Sequence, residues 1–132
     1  MLSGRCHCGA VQYQMSADVA HHSLCHCTDC RRASGASAVS WALVKREDIT
    51  IEGQPKAYES SPGTQRLFCA DCGTSLFFVN ETIFPGMIDV QSATLDDPDA
   101  IAMQGQIQTA ERIGWMGKLE SLPAFERYPP MD

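Results

Sequence analysis

The chain has 132 residues, of which 44% are hydrophobic and 20% are charged. This composition is typical of a globular domain with its own core, and we expect a single domain over residues 1–132. The formal net charge is -6 and the basic residues are scattered, which disfavours a nucleic-acid partner. The sequence has neither an apolar run of about 18 residues nor a signal-peptide pattern, so we expect a cytoplasmic protein that does not enter a membrane.

Alternating apolar residues predict strands along much of the chain. Val11, Tyr13 and Met15 recur at every second position with glutamines between them, a pattern typical of a strand with one buried face. Similar β-rich segments occupy residues 39–43, 49–51, 76–79, 83–90 and 103–109. We therefore expect a mainly β domain with short helical turns.

Helices are predicted to be few and short. The best candidate begins near Thr28, where Thr28 or Asp29 could cap a turn that runs through Arg32. His21 and His22 are expected on the surface. Turns are predicted at 53–55, 60–63 and 80–81, and a turn or one helical turn at 95–98.

The seven cysteines carry the strongest chemical signal in the chain. Their number is odd, and clustered thiols in a reducing compartment bind metal more often than they form disulfides. They form a C-x-C pair, a C-x-C-x-x-C triple and a C-x-x-C pair, respectively Cys6 and Cys8, Cys25, Cys27 and Cys30, and Cys69 and Cys72.

The two cysteine pairs share a feature that the triple lacks. Cys8 is followed by Gly9, and Cys72 is followed by Gly73. Glycine permits the backbone angles that turn N–H groups toward thiolate sulfurs. Counting alone does not fix which groups combine, but this shared glycine favours one structural zinc site with four cysteine ligands. Its ligands would be Cys6, Cys8, Cys69 and Cys72.

The triple Cys25, Cys27 and Cys30 is then left with three ligands. A zinc ion held by three protein ligands with an open fourth position is the arrangement of a reactive site. Arg31 and Arg32 follow directly. They would offset the negative charge of the zinc–thiolate unit and could hold a carboxylate-bearing ligand, or they are ordinary solvated surface charges.

Three other interpretations of this triple stay open. A histidine could complete a second closed site, the metal could be labile, or Cys27 and Cys30 could form a redox C-x-x-C pair. The redox interpretation leaves Cys25 unexplained. The candidate histidines are His7, His21, His22 and His26, and the side chain of His26 is expected to point away from the metal.

Taken together, the motifs resemble the glutathione-dependent formaldehyde-activating enzyme family, also called the centromere protein V family. The resemblance covers about residues 4–128. Its motifs are C-x-C-G at 6–9, C-H-C-x-x-C-R at 25–31 and F-C-x-x-C-G-T-x-L at 68–76.

The resemblance implies a zinc-stabilised β-tent fold and two zinc ions in each chain. It implies a structural ion on Cys6, Cys8, Cys69 and Cys72 and a catalytic ion on Cys25, Cys27 and Cys30. The implied activity is that of a carbon–sulfur lyase, similar to S-(hydroxymethyl)glutathione synthase. The implied partners are a small thiol such as glutathione and an aldehyde.

Catalytic roles are predicted for three residues beside the triple. Zinc would capture the thiol as a thiolate, which leaves a proton to be moved. His26 and Asp29 are the nearest candidates for that transfer, and Arg31 is a candidate partner for a substrate carboxylate. Relatives often have a histidine where this chain has Gln106, which leaves any role of that histidine without a counterpart.

A different class of function competes with the enzyme. The chain could be a non-catalytic zinc module that binds a thiol ligand or a protein partner. The aromatic residues do not distinguish the two, because aromatics on strands are more often core than docking surface. The sequence indicates neither the particular thiol or aldehyde nor the oligomeric state.

Overall fold

The computed structural model describes residues 1–131. Across that part of the chain, one α-helix, α1 (Thr28–Ser34), stands among ten strands. Short 3-10 helices cover Arg46–Asp48, Ser92–Thr94, Thr109–Glu111 and Gly114–Ser121. The strands are β1 (Leu2–Arg5), β2 (Gln12–Met15), β3 (His21–Cys25), β4 (Val39–Lys45), β5 (Ile49–Glu52), β6 (Lys56–Ser61), β7 (Thr64–Phe68), β8 (Ser75–Asn80), β9 (Met87–Gln91) and β10 (Gly105–Ile107).

The strands form two sheets, which confirms the predicted mainly β fold. A three-stranded antiparallel sheet has the order β1-β2-β5. A seven-stranded sheet has the order β10-β3-β4-β9-β8-β7-β6. In it, β10 lies parallel to β3, whereas the other described pairs are antiparallel.

Side chains from both sheets pack into the main core. Tyr13 and Met15 of β2 are buried together with Phe77 of β8 and Val90 of β9. The Tyr13 and Phe77 rings meet edge-on with centroids 5.4 Å apart, an arrangement that aromatic quadrupoles favour. The alternation predicted from Val11 to Met15 is therefore confirmed.

Strand β4 is buried on both faces, not on one face as its alternation predicted. Ala42 and Val44 enter the main core. Val39 and Trp41 point to the opposite face and pack with Cys25 in a smaller hydrophobic core. This second face of the large sheet positions the triple of cysteines.

Several strand boundaries differ from the predicted ones. The predicted strand at 83–90 begins only at Met87, because the chain turns through Pro85 and Gly86, with the Phe84 N–H bonded to the Asn80 carbonyl at 2.8 Å. The strands β1, β3, β6 and β7 were not predicted. Strand β6 shows no apolar alternation because most of its side chains are exposed.

Two local predictions are also corrected. Helix α1 starts at Thr28 as expected, but its N-cap is Cys27, whose Sγ accepts the Cys30 N–H at 3.2 Å. His22 is buried at 2% exposure, whereas His21 is exposed as predicted. The ring nitrogens of His22 lie 3.0 Å from the Ala102 carbonyl and 2.8 Å from Ser92 Oγ.

Candidate metal centres and the adjoining cavity

Four sulfurs from distant parts of the chain converge in a first cluster. The Sγ atoms of its members all lie within 4.8 Å of one another. Cys8 Sγ lies 3.7 Å from both Cys6 Sγ and Cys69 Sγ. Tetrahedral Zn–S bonds of about 2.3 Å place their sulfurs about 3.8 Å apart, so this donor set fits a zinc ion. The cluster consists of Cys6, Cys8, Cys69 and Cys72.

Matching turns build the two halves of this cluster. Gly9 and Gly73 have φ of +84° and +83°, angles that side-chain-bearing residues adopt only with strain. The Gly9 N–H donates to the Cys6 carbonyl at 3.2 Å, and the Gly73 N–H donates to the Cys69 carbonyl at 2.8 Å. The Val11 N–H donates to Cys6 Sγ at 3.3 Å.

The first cluster is anchored in the core but reaches the surface. Cys6 and Cys69 are each 1% exposed, whereas Cys8 and Cys72 are exposed. A hydrogen bond with the Thr74 hydroxyl lowers the pKa of Cys72 to about 5. The Ala10 N–H lowers the pKa of Cys8, but desolvation and the other sulfurs outweigh it and raise that pKa to about 12.

The second cluster is built by neighbouring residues at the end of β3 and the start of α1. Cys25 ends the strand, Cys27 caps the helix and Cys30 lies in its first turn. Their Sγ atoms also lie within 4.8 Å of one another. Hydrogen bonds from Cys25, Cys27 and Arg66 lower the pKa of Cys30 to about 5 despite the burial of that thiol. The pKa of Cys25 is raised by its hydrogen bond with Cys30 and by burial.

A buried arginine stands beside this second cluster. Arg66 is 8% exposed, and its Nη1 and Nη2 lie 3.6 and 3.8 Å from Cys30 Sγ. Its Nε donates to Ser60 Oγ at 3.0 Å, and its Cζ lies 5.1 Å from the centroid of the Phe78 ring. Sequence reasoning missed Arg66, because Arg66 on β7 and Cys30 on α1 are 36 positions apart and only the tertiary fold brings them together.

The second cluster forms part of the wall of a cavity of about 600 Å³. The polar members of the wall include Ser23, Arg66 and Asp89, and Ser23 Oγ is buried with no hydrogen-bond partner. The apolar members are Trp41, Leu43, Phe78, Ile83, Phe84 and Ile107. A cavity of this size, with convergent polar groups beside a donor cluster, is suited to a small ligand.

Asp89 lines the same cavity and was also missed. It lies on β9 opposite Leu43 and Phe78 of the neighbouring strands. Burial, and secondarily the negative charge of the Cys30 thiolate, raise its pKa to about 7. A carboxyl group with such a pKa holds or releases a proton near neutral pH.

The structure separates the three predicted catalytic residues. Asp29 lines the cavity, whereas the residues described as its wall include neither His26 nor Arg31. His26 is fully buried and its Nε2 donates to Gln106 Oε1 at 2.8 Å. Arg31 donates from Nη2 to Thr28 Oγ1 at 3.2 Å.

Within residues 1–131, the groups that could hold a metal ion contain only cysteines. His22 is engaged with Ala102 and Ser92, and His26 with Gln106. The expectation that His26 points away from the cluster agrees with this hydrogen bond. The alternative of a histidine as fourth ligand to the second cluster gains no support from this arrangement.

The fold and the two clusters define a mainly β protein with two sets of cysteines suited to metal. The family model of the glutathione-dependent formaldehyde-activating enzyme matches residues 1–111. The chain therefore belongs to that family, as its motifs predicted.

Named relatives agree with this membership. An uncharacterized lyase of Schizosaccharomyces pombe is 26% identical over 110 residues, which cover 73% of this chain and 80% of that protein. A protein of Phaeosphaeria nodorum with the provisional name glutathione-dependent formaldehyde-activating enzyme is 36% identical over 89 residues, or 62% of this chain. The matched region spans only 47% of that relative.

One solved structure shares the fold. The crystal structure of a Rhodobacter sphaeroides protein matches with a TM-score of 0.62 at 24% identity, covering 80% of this chain and 99% of that one. In the described chain, no helix combines the length and apolar character needed to cross a membrane.

Proposed function

We propose that this protein is a zinc-dependent enzyme of the carbon–sulfur lyase type that acts on an adduct of a small thiol and an aldehyde. The observation that carries the proposal is the second cluster, whose three cysteines form part of the wall of a cavity large enough for such an adduct. Its family membership supports the same chemistry. The reducing cytoplasm is the compartment that suits these free thiols.

Each cluster would hold one Zn²⁺, with different consequences. Four cysteines close the first site, which gives it a structural role. Cys25, Cys27 and Cys30 leave a fourth position for a substrate sulfur. Zinc held by these three cysteines would lower the pKa of a substrate thiol and so make its thiolate available near neutral pH.

The chain's own residues would manage charge and protons around that position. Arg66 offsets the negative charge of the thiolates from 3.6 Å. Asp29 and Asp89 both line the cavity and are the candidates for carrying the proton that leaves the thiol to the aldehyde oxygen. The raised pKa of Asp89 makes it the better matched of the two near neutral pH.

His26 and Arg31 take supporting roles in this proposal. The bond from His26 to Gln106 fixes the loop between Cys25 and Cys27 against β10, so His26 would position the ligands. Arg31 ties down the start of α1 through Thr28. Gln106 would thus position His26 by accepting a hydrogen bond from its ring N–H.

Metal content and exchange kinetics test the proposal together. We expect two zinc ions in each native chain and faster exchange between formaldehyde and a thiol than without protein. Cys27→Ala should lose one zinc ion and the acceleration. Cys72→Ala is the matched control, because it removes a thiolate from the first cluster and should spare the exchange if circular dichroism shows a folded protein.

The non-catalytic zinc module is the competing outcome of this experiment. If native protein accelerates exchange with none of the thiols tested, or if Cys27→Ala exchanges as fast as native protein, the enzymatic proposal is overturned. Retention of two zinc ions without any acceleration would then favour a binding module.

A further inference from the structure

We infer that the cavity beside the second cluster selects an uncharged thiol with an apolar body, or its aldehyde adduct, over a thiol that carries carboxylates, such as glutathione. This inference rests on the proposed function and narrows its substrate class. It follows from the charges and the apolar side chains that surround the cavity.

The wall offers a large apolar surface next to the donor atoms. Trp41, 6% exposed, packs with Cys25 and Cys30, and its ring lies 5.9 Å from that of Phe78. Leu43, Ile83, Phe84 and Ile107 complete this surface. Burying an alkyl or aryl group there gains roughly 25 cal/mol for each Å² of apolar surface removed from water.

The same wall lacks a free cation to pair with a carboxylate. Among the residues described, Arg66 and His21 are its only basic side chains. The Arg66 guanidinium is already shared between Ser60 and Cys30 and lies over Phe78. His21 is solvent-exposed and leaves the interior of the cavity without a second cation.

Acidic groups in the cavity further disfavour an anionic ligand. Asp29 and Asp89 line it, and the cluster adds thiolate charge. A carboxylate placed there would be desolvated next to the thiolates of the cluster and the Asp29 carboxylate, with no free cation to pair with, which is costly. Arg31 and Arg32, the cations nearest in sequence, lie outside the described wall.

The reaction itself places no demand on a substrate carboxylate. In RSH + CH2O → RSCH2OH, the sulfur forms a bond to carbon, the carbonyl π bond becomes the lone pair of an alkoxide, and the thiol proton ends on that oxygen. No oxidant or reductant is consumed. The R group therefore contributes binding only, and the cavity wall decides which R group is accepted.

A matched pair of thiols tests the inference with the native zinc-loaded protein. Benzyl mercaptan and 4-(mercaptomethyl)benzoate share the same reacting sulfur and differ in one remote carboxylate. We expect kcat/KM for formaldehyde addition to be at least about tenfold higher for benzyl mercaptan, since an unpaired buried charge costs more than one factor of ten. Glutathione should fall with the carboxylate-bearing thiol.

Binding gives a second readout that does not depend on turnover. In a Trp115→Phe background, Trp41 is the single tryptophan and lies in the cavity wall. Titration of its fluorescence should give tighter binding of benzyl mercaptan than of 4-(mercaptomethyl)benzoate, also by about tenfold. Both thiols present the same sulfur, so this ratio reports on the rest of the cavity.

An added cation should change this selectivity in a defined direction. Ile83 is 61% exposed at the rim of the cavity, so Ile83→Arg should fold. The new guanidinium would pair with the carboxylate of 4-(mercaptomethyl)benzoate and should reduce the kcat/KM ratio of the two thiols at least about threefold. Met103→Arg is the control, because Met103 is 46% exposed and lies outside the described wall. It should leave the ratio unchanged.

The outcomes separate this inference from the proposed function. If no thiol is accelerated, the proposed function fails, whereas the fluorescence ratio still tests the cavity. If glutathione or 4-(mercaptomethyl)benzoate is used or bound as well as benzyl mercaptan, the inference is overturned while the enzyme stands. Equal shifts from Ile83→Arg and Met103→Arg would also overturn it.

Discussion

The guanidinium of Arg66 is the only buried positive charge that the described structure places against a cysteine cluster. It contacts Cys30, whose pKa is lowered to about 5 by hydrogen bonds from Cys25, Cys27 and Arg66. A charged donor that orients a metal-binding thiolate stabilises the thiolate form, and with it the metal complex. Arg66 should therefore influence metal binding without being a ligand.

Replacing Arg66 tests this influence. Arg66→Met keeps an unbranched apolar side chain at this position but removes the charge, so we expect the zinc affinity of the second cluster to fall about 10- to 100-fold. Competition with a chelator measures it. Arg32→Met is the control, because Arg32 is an exposed arginine on α1, the helix that carries Cys30. It should change the zinc affinity little. An unchanged affinity in Arg66→Met would contradict the assigned role.

Asp89 predicts a pH dependence of stability. Its pKa is about 7 in the folded chain and 3.8 for the ordinary carboxyl, so between these values the folded state binds more protons than the unfolded state. The free energy of unfolding therefore falls as the pH rises from about 4 to about 7. Asp89→Asn should lose this contribution.

The measurement compares urea denaturation of native protein and Asp89→Asn at pH 5.5 and pH 8. Relative to that of native protein, the free energy of unfolding of the variant should rise by on the order of 1–3 kcal/mol from pH 5.5 to pH 8. Taking the difference removes the part of the pH dependence that both proteins share. Asp18→Asn, at an exposed site, should gain nothing, and an equal gain in both variants would refute the explanation.

At the scale of elements, the parallel pairing of β3 with β10 holds the second cluster in place. The strands are parallel, with Gln106 opposite Leu24. The His26 N–H donates to the Ile107 carbonyl at 3.1 Å, and the His26 ring donates to Gln106. A short three-residue strand thereby fixes the loop that carries Cys25 and Cys27.

Gln106→Ala should weaken the contact between β10 and the loop that follows β3. It leaves the buried Nε2–H of His26 without an acceptor, which costs about 1–3 kcal/mol of unfolding free energy. Urea denaturation measures the loss, and Gln14→Ala, at an exposed strand position, should cost less than about 0.5 kcal/mol. Equal effects of the two substitutions would show that the His26 bond contributes nothing.

Local features of the sequence were the predictable ones. The cysteine spacings, the start of α1 and the alternation before Met15 depend on neighbouring residues, and the family motifs lie in those same short stretches. Arg66 and Asp89 could not be assigned to the cavity, because they lie on β7 and β9, far along the chain from Cys30 on α1, and only the tertiary fold brings the three together. Burial of His22 was missed for the same reason, since its partners Ser92 and Ala102 follow about 70 and 80 residues later.

At the scale of the whole molecule, the final segment contributes little to the packed core. Of residues 114–131, nearly all are exposed, including Trp115, Leu119 and Phe125. The family model also ends before this segment, at residue 111. Burial and backbone pairing, rather than position in the sequence, decide the cost of removing it.

Two truncations test this division. Deletion of residues 114–132 should lower the free energy of unfolding by less than about 1 kcal/mol, because few buried contacts are lost. Deletion from residue 105 onward also removes β10 and the acceptor of His26, so its cost should be on the order of 3 kcal/mol or more. Thermal denaturation distinguishes them, and comparable losses would refute the argument.

The spacing of the two clusters along the chain gives them different relations to folding. Cys8 and Cys69 are 61 positions apart, so the unfolded chain rarely presents both, and zinc at the first cluster would bind the native state almost exclusively. The cysteines of the second cluster lie within six consecutive positions, which an unfolded chain can gather around an ion. Metal that also binds the unfolded state stabilises the native state less than metal that binds the native state alone. Even if zinc bound both clusters with equal affinity, the ion at the first cluster would therefore add more to the free energy of unfolding. Loss of that ion, to a chelator or on heating, would destabilise the fold more than loss of the other.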